Sequence, residues 1–162
     1  MSNMDGALRF PSPTMDDLPE LVDRFTATGS LTARLDLDPE LAAATGAPRT
    51  PAPEVATTVY RIVVEALTNV RRHAIDAEHV RVAVVRTPGN DVRVEIIDDG
   101  QNGARAHAGS GRGGHGLTGL AARLDALGGT LSTGPTEPLG WQVTAVLPLG
   151  LSPTTTAETV AP

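Results

Sequence analysis

The chain has 162 residues, 40% of them hydrophobic, a size and composition that suit one globular domain with one core. A net charge of −6 excludes a surface built to neutralise a nucleic-acid backbone, and the absence of cysteine excludes disulfides, thiolate nucleophiles and cysteine-bound zinc. With two Phe, one Tyr and one Trp, the core must be packed by Val, Leu, Ile and Ala, which suits a layered α/β domain.

Residues 1–16 are polar and rich in Pro and Ser, the composition of a linker, and are expected to be disordered. Asp16 or Asp17 is placed to cap a short helix in which Leu18, Leu21, Val22 and Phe25 line one face, with Gly29 as its stop. Leu31, Ala33, Leu35 and Leu37 then alternate with polar residues and predict a strand. The proline-rich stretch from Asp38 to Pro53 reads as a loop. From Glu54 to Ala74, the residues Val55, Val59, Ile62, Val63, Ala66, Leu67, Val70 and Ala74 recur at intervals of three and four, predicting a long helix with one buried stripe.

Two strands follow, His79–Thr87 and Val92–Asp98, joined by the turn chemistry of Pro88-Gly89-Asn90-Asp91. The segment Asp99–Gly114 carries almost no large apolar side chain and has glycine at 100, 103, 109, 111, 113 and 114, so it reads as a long mobile loop. A second helix from Leu117 to Leu127 buries Leu117, Leu120, Ala121, Leu124 and Leu127 and ends at Gly128-Gly129. Strands Leu131–Thr133 and Trp141–Leu147 close the domain, the second turning Trp141, Val143, Ala145 and Leu147 inward. The Thr- and Pro-rich residues 150–162 are expected to be a disordered tail, which leaves 17–149 as the folded domain.

Three patterns carry chemistry. Arg61, Glu65, Asn69 and His73 recur every four residues and so project from one edge of the long helix, beside its buried stripe. A carboxylate, an amide and an imidazole in line make a site; the same pattern is also that of a solvated face with an Arg61–Glu65 ion pair. Asp98 closes a strand and runs through Asp99 into Gly100, where a carboxylate could accept from an exocyclic amine, or where Asp-Gly simply forms a turn. Gly111-Arg112-Gly113-Gly114-His115-Gly116 leads into a helix and offers free backbone N–H groups to a polyphosphate, although it lacks the Lys-[Ser/Thr] ending of a P-loop and a flexible linker has the same composition.

Read together and in order, YRIVVEALTNVRRHA (60–74), VRVEIIDDGQNG (92–103) and GGHGLTGLAARLDALGG (113–129) resemble the N box and the two glycine boxes of the histidine-kinase-like ATPases. The spacing is most similar to the two-component sensor kinases whose response regulators carry helix-turn-helix output domains, and the resemblance covers about Leu18 to Leu149. It implies a two-layer α/β sandwich, with a mixed, mostly antiparallel sheet and helices on one face. It also implies that Asn69 binds Mg²⁺ bridging the phosphates of ATP, that Glu65 is the catalytic acid of the N box, and that Arg72 and His73 lie near the phosphates. Asp98 would hold the adenine amino group, with Gly100 admitting the base. Gly114, His115, Gly116 and Leu117 would form the hinge of a lid over the nucleotide, Gly119 would keep the helix close to the sheet, and Thr144 would approach the adenine. Asn102 stands where the family has a second glycine, a substitution that a left-handed backbone tolerates.

The implied activity is donation of the γ-phosphoryl group of Mg-ATP to a histidine on a separate dimerisation segment, from which a cognate response regulator takes it. None of His73, His79, His107 or His115 has the setting of such a phosphoacceptor, so the chain by itself is expected to be a monomer that does not autophosphorylate. No apolar run approaches the roughly 20 residues that span a bilayer, so the domain is expected in the cytoplasm without membrane contact, even where its parent kinase is anchored. Topoisomerase-like ATPases, anti-sigma kinases and degenerate modules are disfavoured by the chain's length after its last strand, by the HGLTGL and LGG features, and by the intact Glu65 and Asn69.

Overall fold

The structure of the protein, a computed structural model, describes residues 12–42, 50–101 and 115–150. Its helices are α1 (Leu18–Ala27), α2 (Pro39–Ala42), α3 (Pro53–His73) and α4 (His115–Ala126), and its strands are β1 (Thr32–Leu37), β2 (His79–Arg86), β3 (Asp91–Asp98), β4 (Thr130–Pro135) and β5 (Trp141–Pro148). The strands form one sheet in the order β1-β2-β3-β5-β4, in which β1 and β2 are parallel and every other pair is antiparallel. The parallel pair needs a long crossover, and α3 lies in it. This is the mixed sheet with helices on one face that the motifs imply.

Alternation along the strands decides which face is covered. Val80, Val82 and Val84 of β2, Val92, Val94 and Ile96 of β3, and Val143, Ala145 and Leu147 of β5 are buried in a single core cluster with residues of all four helices. The other face mixes polar residues with Ala83, Val85, Ile97 and Val146 and carries ion pairs between Arg93 and Glu95 (2.8 Å) and between Arg81 and Asp36 (3.6 Å).

Helix α3 dominates the helical layer. Val55, Val59, Ile62, Val63, Ala66, Leu67 and Val70 are each no more than 4% exposed, and burying each of the larger side chains is worth about 1.5–3 kcal/mol. Pro53 opens the helix at its first turn, where a missing N–H costs nothing. Helix α1 is docked on α3 by Arg71, whose guanidinium donates to the Phe25 carbonyl (2.8 Å) and to Thr28 Oγ1 (2.9 Å) and lies 4.4 Å from the Phe25 ring centroid. Helix α4 is tied to α3 through buried Thr58, which accepts from Arg123 Nε (3.1 Å) and donates to the Glu54 carbonyl (2.7 Å).

Four details depart from the sequence reading. Asp17 does not cap α1 with its side chain; it accepts from the backbone N–H and hydroxyl of Thr14 (2.7 and 3.0 Å), closing a 3₁₀ turn at Met15–Asp17. That turn buries Met15 to 3% exposure, within a stretch expected to be linker. Pro39–Ala42 is a one-turn helix inside the expected loop, held by the Asp38 side chain on the Glu40 N–H (2.9 Å) and by burial of Leu41. In α4 the residues Leu120 and Leu124 are buried and Leu117 and Leu127 partly so, whereas Ala121 is exposed.

Helix α4 ends in a Schellman motif, with Gly129 N–H on the Leu124 carbonyl (2.8 Å), Gly128 N–H on the Asp125 carbonyl (3.0 Å) and Gly128 at φ +75°. A Cβ on Gly129 would stand 2.6 Å from the Val146 carbonyl oxygen, so the turn into β4 has no room for one. Gly119 has the opposite surroundings: it is exposed, and a Cβ there would meet nothing within 4 Å, so it does not hold α4 to the sheet. Gly119→Ala is therefore expected to raise stability by about 0.8–1 kcal/mol, and Gly129→Ala to lower it by about 1–3 kcal/mol. Urea unfolding of the two variants beside the parent chain measures both, and a destabilising Gly119→Ala would contradict its open setting.

Candidate functional site

Turning the apolar stripe of α3 into the core leaves its polar edge at the margin of the helical layer. There Glu65, Asn69 and His73 are half-buried and Arg61 is exposed. Among the described residues no ion pair joins Arg61 to Glu65, so the solvated-pair alternative does not describe this edge. The Glu65 carboxylate instead lies against Gly116, the second residue of α4, where a Cβ would collide with it. The first turn of α4 has N–H groups without intrahelical partners and the positive end of the helix dipole. Leu117 follows, half-buried and packed on the core.

At the other end of the same edge, α3 finishes against the end of β3. Ala74 closes the helix with its N–H on the Val70 carbonyl (2.9 Å). Gly100 is buried there, with space for a Cβ limited by Ala74 Cβ at 3.0 Å and Ala77 Cβ at 3.1 Å. Asp98 is 3% exposed and accepts the Gly100 N–H on Oδ1 at 3.0 Å. Behind it, Gly140 at φ +119° packs its α-carbon on the Asp98 carbonyl so closely that a Cβ would collide with it.

Asp99 faces the opposite way. It accepts from the backbone N–H groups of Glu78 and His79 on Oδ1, both at 2.9 Å, and pairs through Oδ2 with His79 Nδ1 at 2.9 Å. Desolvation pushes this carboxyl up, but the His79 amide, the His79 imidazole and the Glu78 amide together outweigh it and hold the group below the ordinary aspartate value. The Asp-Gly pair thus makes a turn, with Asp98 turned into the site and Asp99 holding the strand ends.

The remaining predicted residues are distributed as follows. Arg72 is exposed and borders a groove between α1 and α3 that also involves Phe25 and Val64. Arg72 and His73 also occupy the last turn of α3, where cationic groups favour the helix dipole. Thr144 lies on the sheet face away from the helices, opposite Glu95 in register and accepting from Gln142 Nε2 at 2.8 Å; the alternation that buries Val143 and Ala145 keeps it from the edge of α3. Gly114, Asn102, the expected lid and the side chain of His115 lie outside the described residues. Sequence reasoning missed Ala74, Ala77, Asp99 and Gly140 as neighbours of Asp98 and Gly100. Only Gly140, at the mouth of a strand, left a sign of a special backbone.

Residues 54–151 match the family described as histidine kinase-, DNA gyrase B-, and HSP90-like ATPase. The chain is 42% identical over 97 residues, 60% of its length, to the sensor histidine kinase YxjM of Bacillus subtilis (strain 168), and spans 22% of that relative's length. Among solved structures it is similar to the histidine kinase domain of a blue-light activated histidine kinase from Erythrobacter litoralis EL346 (TM-score 0.59, 21% identity, 80% of this chain and 57% of that one). It is also similar to histidine kinase AdeS of Acinetobacter baumannii (TM-score 0.57, 16% identity, 85% of this chain and 66% of that one). At these identities the two structures speak for the fold alone.

Two outcomes follow from the geometry. Gly116→Ala is expected to change stability by less than about 1 kcal/mol, because the group it meets is the far end of the flexible Glu65 side chain, which swings aside, and Glu65→Ala should remove what coupling there is. A double-mutant cycle by chemical denaturation measures the coupling; a large loss that Glu65→Ala relieves would show that the carboxylate is held in place. For Asp99, a lowered folded-state value means a stability contribution present above the ordinary aspartate range and lost as pH falls through the folded value. The stability gap between the parent chain and Asp99→Asn should therefore be present at about pH 5 and shrink as pH drops below about 4, followed by urea midpoints across that range.

Proposed function

The chain belongs to the histidine kinase-, DNA gyrase B-, and HSP90-like ATPase family, and from that premise we propose that it is the Mg-ATP-binding catalytic domain of a two-component sensor histidine kinase. The observation that carries this reading is the placing of Glu65, Asn69 and His73 on one edge of α3, with Gly116 of α4 at one end and Gly100 and Asp98 at the other. One end offers helix N–H groups and the other a buried carboxylate, which are the complements of a polyphosphate and of an aminopurine.

In this reading Asp98 accepts a hydrogen bond from the exocyclic amine of adenine, and Gly100 lets the base approach the backbone. Asn69 supplies an amide oxygen to Mg²⁺. Magnesium takes most of its octahedral ligands from phosphates and water, so one amide oxygen on an edge shared with a carboxylate suits it. Among the described residues, no group of three His, Cys, Asp or Glu gathers to hold a metal without such help. When bound, the ion neutralises phosphate charge as the γ-phosphoryl group is transferred. Glu65 would polarise the attacking nucleophile; Arg72 and His73 stand in the last turn of α3, at the Gly100 end of this edge, and are not assigned to phosphates at the Gly116 end.

The acceptor would be a histidine on a separate dimerisation segment of the parental kinase, and the phosphoryl group would pass on to a cognate response regulator. The similarity to a sensor histidine kinase of which this chain spans 22% supports that division. A cytoplasmic location belongs to the same proposal; no helix among the described residues is long and apolar enough to cross a membrane.

Calorimetric titration with ADP and with a non-hydrolysable ATP analogue, with and without Mg²⁺, tests the reading. Saturable, Mg²⁺-sensitive binding is expected, and its absence in a folded chain would overturn the proposal. Asn69→Ala should abolish the Mg²⁺-dependent part of the affinity with an unchanged circular dichroism spectrum. Asp98→Asn should weaken ADP and the ATP analogue by the same factor, about tenfold or more for a buried charged hydrogen bond; selective loss of the ATP analogue would remove Asp98 from the base.

A further inference from the structure

The peptide unit between Asp98 and Asp99 is held on both sides, and only one side belongs to the site described above. On the site side, Asp98 closes on the Gly100 N–H, and its carbonyl lies beneath Gly140. On the outer side, the Asp99 carboxylate receives three bonds of 2.9 Å, all from the first residue of β2 and the residue before it. The β2–β3 ladder ends at the Val80–Asp98 pair, so these bonds extend the grip of β2 past its last ladder residue.

Further contacts continue the same seam. Gln101 donates its N–H to the Ile75 carbonyl (2.8 Å) and its side-chain amide to Asp76 Oδ2 (2.7 Å), and Gly100 sits between Ala74 and Ala77. Residues 98–101 are thereby stitched to residues 74–79, the connection that leaves α3. Asp99 is the only one of these links that joins a carboxylate to three donors.

We infer that Asp99 is a positioning residue for the base-recognising end of the nucleotide site, fixing the Asp98 carboxylate and the Gly100 backbone through its hold on Glu78 and His79. The inference rests on the nucleotide reading above. The side chains of His79 and Asp99 are 64% and 47% exposed, so water replaces the lost partners when Asp99 is removed. Removal therefore loosens the geometry around Asp98 and does not unfold the domain. Asparagine at 99 keeps an oxygen for the two amides and gives up only the acceptor that faces His79 Nδ1, which makes it the conservative variant.

The test uses the full chain in three forms, the parent, Asp99→Ala and Asp99→Asn, with ADP titrated well below each thermal transition and the Gly100 amide followed by NMR. Asp99→Ala is expected to weaken ADP by about tenfold, the scale of one charged hydrogen bond. The factor should be the same with and without Mg²⁺, and the Gly100 amide resonance should shift as its bond to Asp98 loosens. Asp99→Asn should restore most of the affinity and of the resonance. If Asp99→Ala does not fold, His79→Ala removes one of the three bonds and should show a smaller shift and weakening in the same direction. A folded Asp99→Ala with parental affinity and an unmoved Gly100 resonance overturns the inference, as does a loss seen only with Mg²⁺. Should the parent bind no ADP, the nucleotide reading fails, while the Gly100 resonance still decides whether Asp99 positions Asp98.

Discussion

Helix α3 can be seated on the sheet at one rotation only, and the site depends on that constraint. Val55, Val59, Ile62, Val63, Ala66, Leu67 and Val70 are at most 4% exposed. A turn of one residue, about 100°, would drive Glu65 or Arg71 into the core and lift Ile62 or Val63 out, at the cost of burying a charge without a partner. With the rotation fixed, Glu65, Asn69 and His73 stand on the rim of the core, shielded on one side by packed side chains and open on the other. From Glu65 to Ala74 the helix advances about 13 Å. Its two ends on this edge are marked by glycines of other elements, Gly116 and Gly100.

The glycines divide by what surrounds them, and the division separates site from scaffold. Gly100, Gly116 and Gly140 each bring one backbone against another functional group: the end of α3, the Glu65 carboxylate and the Asp98 carbonyl. A methyl group at any of them would move a residue of the candidate site. Gly119 and Gly134 have nothing within 4 Å of a Cβ, and no packing argument attaches to them. Motif glycines are therefore not interchangeable: of the pair in Gly116-Leu117-Thr118-Gly119, the first makes room for a catalytic candidate and the second faces solvent.

Periodicity made the frame legible. The three-and-four spacing of α3 and the alternation in β2, β3 and β5 located the core, because burial follows side-chain direction and direction follows the period. Asp98 and Gly100 were legible only through the family resemblance, since a carboxylate at a strand end and an Asp-Gly turn are common by themselves. The failures share another cause. The resemblance implies Thr144, on the last strand, near the adenine, but strand alternation puts it on the far face, beside Glu95. Asp99 looked like part of a turn because its partners, Glu78 and His79, are about 20 residues away and come together only when β2 pairs with β3. Met15 and Leu41 were hidden in polar, proline-rich stretches, where a single apolar residue has no period to announce it.

The two helices that border the site are held very differently. Helix α3 buries nine residues, whereas α4 buries Leu120 and Leu124, worth together about 3–6 kcal/mol. The C-terminal end of α4 is secured by its Schellman turn and by the fit of Gly129 under Val146, and Arg123 ties its last turn to Thr58. Among the described contacts, its N-terminal turn has the half-buried Leu117 and the approach of Gly116 to Glu65. Local opening follows the density of buried contacts, and among the described residues that density is greater along α3 than along α4. On the proposed reading, the base end of a nucleotide meets a hydrogen-bonded seam of strand and helix termini, while its phosphate end meets the start of α4. Glu65 lies against Gly116 in that first turn, so a ligand drawn to the N–H groups there would meet the same carboxylate that the rotation of α3 brings to the rim.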